Sequence, residues 1–190
     1  ALTGAPLLSG YYSKDAIIES AYASHAFGHE YAFYLLVFSA LLTSFYSWRL
    51  IFLTFHGKTR SSQDVLAKAH ESPLSMTLPL LLLSFGAIFS GFLFSDFFLS
   101  HEIENLWGNS IFVHPDNHIL EEIHHSPFWV KKIPLVMMGF GFSIAVLFYL
   151  MFKNLPSFLS SKMSFIYNFL YNKWYFDELY DLIFVNPLKR

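Results

Sequence analysis

Apolar residues fall into long blocks along this chain instead of alternating with polar ones. Three blocks reach the roughly 20 residues that a helix needs to cross a bilayer. They cover residues 31–55, broken only by Arg49, residues 73–98, uncharged until Asp96, and residues 133–152, uncharged throughout. A shorter run, ALTGAPLLSGYYSKDAII, opens the chain and is punctuated by Gly4, Pro6 and Gly10. Proline lacks an N–H and clashes with the turn before it, so residues 1–22 predict a discontinuous transmembrane helix. Polar connections follow at 56–72 and 99–132. From residue 157 the pattern changes: Leu159, Met163, Ile166, Leu170 and Trp174 recur at three- and four-residue spacing, with Lys162, Asn168, Asn172 and Lys173 between them. That spacing predicts, over 157–190, the start of an amphipathic lateral helix lying on the membrane surface. The expected fold is an all-α integral membrane protein, a multi-span helix bundle with a broken first helix.

Composition supports the same picture. Hydrophobic residues make up 54% of the chain and charged residues 14%, and mean hydropathy is +0.42. A soluble domain carries about 25% charged residues, so three buried core helices of a globular enzyme are disfavoured. Lysine and arginine set the orientation. The 56–72 connection has Lys58, Arg60 and Lys68, and five more follow Phe152, whereas the 99–132 loop has two, beside five acidic residues. This places 56–72 and the tail on the cytoplasmic side and 99–132 outside. With no charged leader before its apolar opening, the chain reads as an internal stretch of a larger membrane protein and not as a signal peptide. The absence of cysteine excludes disulfides and thiolate metal sites. Scattered basic residues in loops exclude a nucleic-acid surface, and no Gly-rich nucleotide loop or nucleophile motif is present.

Lys14 is the residue whose chemistry is hardest to explain away. An intramembrane ammonium is costly and by default marks a functional site. On a helix its i±3 and i±4 neighbours are Gly10, Tyr11, Ile17 and Ile18, none of them acidic. Asp15 lies about 100° around the helix and its own i+4 neighbour is Glu19, so the partner of Lys14 is expected from another helix. Arg49 lies six residues before the end of its block, where snorkelling accounts for it. Ser39, Thr43 and Ser47 share one helical stripe and are read as small residues at a helix contact. His114, His118, Glu121, Glu122, His124 and His125 are the richest cluster of metal-ligand types. They lack a zinc signature, and Pro115 and Pro127 bracket most of them, so a solvated loop without metal is expected.

Three of these segments are familiar. GYYSKDAIIE at residues 10–19 resembles the G-F-x-S-K-D-x-I motif of the antiporter-like subunits of respiratory complex I. SFYSWRLIFLTFHGKTR at 44–60 is similar to the helix that follows it, with its H-G-K exit. NKWYFDELYDLIFVNP at 172–187 resembles the opening of the long lateral helix found in the chain L (mitochondrial subunit 5) branch. The resemblance covers nearly the whole chain, in family order. It implies that Lys14 matches the proton-carrying lysine of the broken twelfth helix and Asp15 the adjacent acid, while the family's other intramembrane lysines and glutamate lie on earlier helices. Tyr11 and Tyr12 stand where phenylalanine or another aromatic is usual.

The function so implied is proton translocation coupled to quinone reduction. NADH, FMN, iron–sulfur clusters and quinone would be bound by other subunits, and no cofactor by this chain. Expected partners are neighbouring antiporter-like subunits, the lipid bilayer and protons, in a bacterial inner membrane or a mitochondrial one. A lysine suits the work because burial disfavours an amine's charged form and a nearby carboxylate favours it, so a moving partner can load and release a proton. Two other functions carry the same features: the large subunit of a multisubunit cation/proton antiporter, marked by sodium-dependent transport, and a membrane scaffold in which Lys14 only pins a helix contact.

Overall fold

The structure, a computed structural model, describes residues 1–59, 61–99, 107–110, 114 and 117–189. These residues form helices and turns, with no strand among them. This suits a chain whose backbone polar groups must bond within their own segment at membrane depth. Two compact units are present, Ala1–Leu147 and Phe148–Arg190.

In the first unit, residues 1–8 are a series of turns in which Gly4 and Leu7 both have positive φ, 75° and 72°. A helix cannot pass through such residues, so α1 begins only at Ser9 and runs to Ala23. Ser24 is extended and Gly28, at φ 82°, supplies the left-handed turn from which α2 (His29–Phe55) starts. A short helix, α3, covers Gln63–Ala67. Next comes α4 (Leu74–Leu99), which carries Pro79 in its second turn. Ile119–His125 form α5, and α6 covers Phe128–Val146 before a wider π turn carries it to Met151. Among the described residues three helices are long and apolar enough to cross a membrane: His29–Phe55, Leu74–Leu99 and Phe128–Met151. The third begins before its uncharged block, because Phe128, Trp129 and Val130 precede Lys131 and Lys132, and lysine stems can lie along an apolar surface with their heads in water.

The tightest helix contact joins α2 to α6. Ser44 Oγ donates to the Met138 carbonyl at 2.7 Å. Opposite it, a Cβ on Gly141 would come within 2.5 Å of the Leu41 carbonyl oxygen and 2.8 Å of Ser44 Cβ. Small residues allow this approach of backbones, the usual way helices associate where lipid removes the hydrophobic drive between them. Ile18, Phe33, Val37, Ala40 and Val130 form the buried cluster that joins α1, α2 and α6. Above it, the rings of Tyr22, Phe33 and Trp129 meet edge to face with centroids 5.3 to 5.9 Å apart, the geometry aromatic quadrupoles favour. Helix α4 has no buried residue of its own. It touches α1 at Gly91, where a Cβ would lie 2.6 Å from Ser9 Cα.

In the second unit the stretch predicted as one amphipathic helix is divided. Helix α7 (Leu155–Lys162) is separated by Met163 from α8 (Ser164–Tyr171), with Met163 at φ -108° and ψ 41°. Lys173, Trp174 and Tyr175 all take positive φ, and short turns of helix follow from Phe176 to Leu188. Amphipathic character persists locally: in α8, Phe165, Ile166, Phe169 and Leu170 are interspersed with Ser164 and Asn168.

Candidate functional site

Lys14 lies in the second turn of α1, and the turns before that helix fold back along it. The Gly4 N–H donates to the Ala1 carbonyl at 2.9 Å, and that same carbonyl approaches Gly10 so closely that a Cβ there would be 2.1 Å away. A Cβ at Gly4 would stand 3.3 Å from Lys14 Cδ. The Pro/Gly break therefore covers the aliphatic stem of the lysine. At the end of that stem Nζ is buried with no hydrogen-bond partner among the described residues. A buried polar group without a partner calls for an explanation.

The acids of α1 lie on a different line from this amine. Asp15 is half-buried and interacts with Tyr11, one turn earlier, and with Glu19, one turn later. Glu19 is buried, 9% exposed. Asp15 interacts with the charge of its neighbour Lys14, and both acids also meet opposite charges from far along the chain. Asp15 interacts electrostatically with Lys132, and Glu19 with Lys131 and His124. Lys131 is fixed in place by donating from Nζ to the His124 carbonyl at 2.9 Å. The end of α1 thus faces a basic junction between α5 and α6, whereas Lys14 Nζ has no hydrogen-bond acceptor among the described residues.

Among the other candidates, Thr43 donates back to the Ser39 carbonyl at 2.7 Å, and the bond that crosses between helices comes from Ser44 instead. Arg49 is exposed near the end of α2. The acids of the histidine-rich segment pair separately: His118 with Glu121 at 3.6 Å, and His25, from the α1–α2 turn, with Glu122 at 3.3 Å. No group of three or more potential metal ligands converges among the described residues. The pairing of α1 with the α5–α6 junction was not foreseen from sequence. Its only local sign is the i, i+4 pair of like charges, Asp15 and Glu19, which needs compensation from elsewhere.

Comparison with known proteins gives these residues a family. Residues 46–106 match the sequence family described as NADH dehydrogenase subunit 5 C-terminus. The chain is 36% identical to NADH-quinone oxidoreductase subunit L of Rhodobacter capsulatus, with 98% of this chain and 34% of the relative aligned. It is 38% identical to NADH-ubiquinone oxidoreductase chain 5 of Phytophthora infestans, covering 94% of this chain and 27% of the relative. A third relative, subunit L of Rickettsia felis, is 37% identical over 99% of this chain and 30% of its own length. The chain spans about a third of the length of the curated relatives it matches. With the helical, membrane-spanning architecture and a match along nearly its whole length, the chain belongs to the subunit L/subunit 5 family of NADH-quinone oxidoreductase.

Proposed function

We propose that the chain works as part of a proton-translocating, antiporter-like membrane subunit of NADH:quinone oxidoreductase, with Lys14 as the proton-relay residue. The observation that carries this reading is the buried Nζ, without a hydrogen-bond partner among the described residues, in a chain of this family. An amine held out of water without an acceptor binds its proton weakly until a carboxylate approaches, and strongly once one does. The acceptor is a group outside this stretch of the protein, on a neighbouring helix. Asp15 modulates the site through its charge beside Lys14, and Lys132 partly offsets that charge. Other membrane-arm subunits are the partners. NADH, flavin, iron–sulfur and quinone chemistry belongs to the other subunits of the complex. The location is a coupling membrane, the bacterial inner membrane or its mitochondrial counterpart, in keeping with relatives of both kinds.

The test is Lys14→Met in the full-length protein within its complex, reading protons moved per NADH oxidised in sealed vesicles. The expected result is a normally assembled complex with lowered proton yield. Unchanged yield from a normally assembled complex refutes the assignment. A yield that instead follows sodium refers the chain to cation/proton exchange.

A further inference from the structure

A cavity of about 530 Å³ opens where the turn after α1, the start of α2, and the junction of α5 and α6 meet. Its depth in the membrane follows from helix length. Helix α2 has 27 residues and is about 40 Å long at 1.5 Å per residue, against a hydrocarbon core of about 30 Å. The apolar block begins at Tyr31, after His29 and Glu30, so we set the start of α2 at headgroup level, with about 5 Å of the excess at each end. His29, Glu30 and Tyr34 from those turns line the cavity with Trp129, the second residue of α6, and Glu122 from α5. Tyr and Trp are favoured at this depth because one end of the ring system is apolar and the other wet.

The lining combines three kinds of group. Trp129 and Tyr34 are 49% and 64% exposed, so their ring faces are available to a cation. Both oxygens of Glu122 lie near His25 Nε2, at 3.4 and 3.3 Å, but the carboxylate is 41% exposed and has lone pairs left for a second donor. Glu30 adds a second carboxylate. Finally, His29 Nδ1 is buried and has no hydrogen-bond partner among the described residues. One small ligand answers all three: an ammonium for the rings and carboxylates, joined to an oxyanion for the imidazole.

We propose that this cavity seats the headgroup of a zwitterionic aminophospholipid, its ammonium on Glu122 and the Trp129 and Tyr34 rings and its phosphate on His29. The proposal needs the chain to span a membrane but does not need Lys14 to carry protons. It is tested on the full-length protein in its complex, reconstituted in nanodiscs holding phosphatidylethanolamine and phosphatidylglycerol. Each lipid in turn carries a photoreactive acyl chain, and labelled peptides containing residues 22–34 and 119–129 are quantified. Phosphatidylethanolamine is expected to label these peptides well above phosphatidylglycerol. Combining Glu122→Gln with Trp129→Leu should lower that labelling at least about fivefold, while Trp129→Tyr, which keeps a ring, should hold it within about twofold. Equal labelling by the two lipids overturns the proposal, and so does labelling indifferent to the double substitution. Displacement of the lipid by millimolar phosphoethanolamine alone also overturns it, by making the ligand a soluble one. If the double variant does not assemble, the comparison of the two lipids on the unaltered protein decides.

Discussion

Gly141 and Gly139 stand two residues apart on α6, and the structure predicts opposite outcomes for the same substitution. At Gly141 a Cβ would meet the Leu41 carbonyl oxygen at 2.5 Å, while at Gly139 it would meet nothing within 4 Å. Replacing glycine by alanine in a helix interior is worth about 1 kcal/mol of added helix stability, and Gly139→Ala should show that gain. Gly141→Ala must first separate α2 from α6 by roughly 0.9 Å to restore an ordinary contact, the difference between 2.5 Å and 3.4 Å. The same displacement would carry the Ser44–Met138 bond from 2.7 Å past the limit of a hydrogen bond. Overpacking of this kind costs about 1–3 kcal/mol and the lost bond about 0.6 kcal/mol more, so after the helix gain of about 1 kcal/mol the net change is a loss of roughly 0.6–2.6 kcal/mol. The assay is the thermal midpoint of the full-length protein in detergent, read as its loss from the monodisperse peak. Gly141→Ala should lower it and Gly139→Ala should hold or raise it. If both variants shift in the same direction by the same amount, the α2–α6 contact is not as described.

Ser44→Ala, which removes the cross-helix donor but no volume, should lower the same midpoint by only the equivalent of about 0.6 kcal/mol. Gly28→Ala forces a side chain into φ 82° and should cost about 1–2 kcal/mol, checked by thermal midpoint, with Gly28→Asn milder because asparagine tolerates that region. Gly4→Ala adds a Cβ 3.3 Å from Lys14 Cδ at a φ of 75°. It should loosen the turn over the lysine, seen as faster modification of Lys14 by an amine-reactive reagent. Glu122→Gln should leave the thermal midpoint essentially unchanged, because its bond to the 85% exposed His25 belongs to the class of surface pairs worth about 0–1 kcal/mol.

Long, almost uncharged apolar blocks made the spanning helices legible, since an apolar stretch of that length has few other destinations. Their ends shifted where the sequence mixes signals: two lysines at the fourth and fifth positions of α6 hid its true start at Phe128. That Lys14 Nζ finds no hydrogen-bond acceptor among the described residues was also legible, because helix geometry places no acid at its i±3 or i±4 positions. The counter-charges of Asp15 and Glu19 were not. Lys131, Lys132 and His124 lie more than 100 residues away, and no local pattern encodes that meeting. The tail shows a different failure. Its three- and four-residue periodicity continues through Met163 and up to Trp174, yet the backbone breaks at both, with neither glycine nor proline to announce it.

The α2–α6 contact also sets a timetable. Ser44 and its acceptor on Met138 are 94 residues apart in the chain. At about 5–20 residues per second, synthesis takes roughly 5–20 s to travel between them. If helices enter the bilayer in the order they are made, α2 and then α4 arrive before α6 does. The Ser44 hydroxyl has one local recourse, bonding back to a carbonyl one turn earlier, as Thr43 does to Ser39. A polar group able to wait in this way lets the first helix persist in lipid until its partner is made, then exchange a bond within the helix for one between helices.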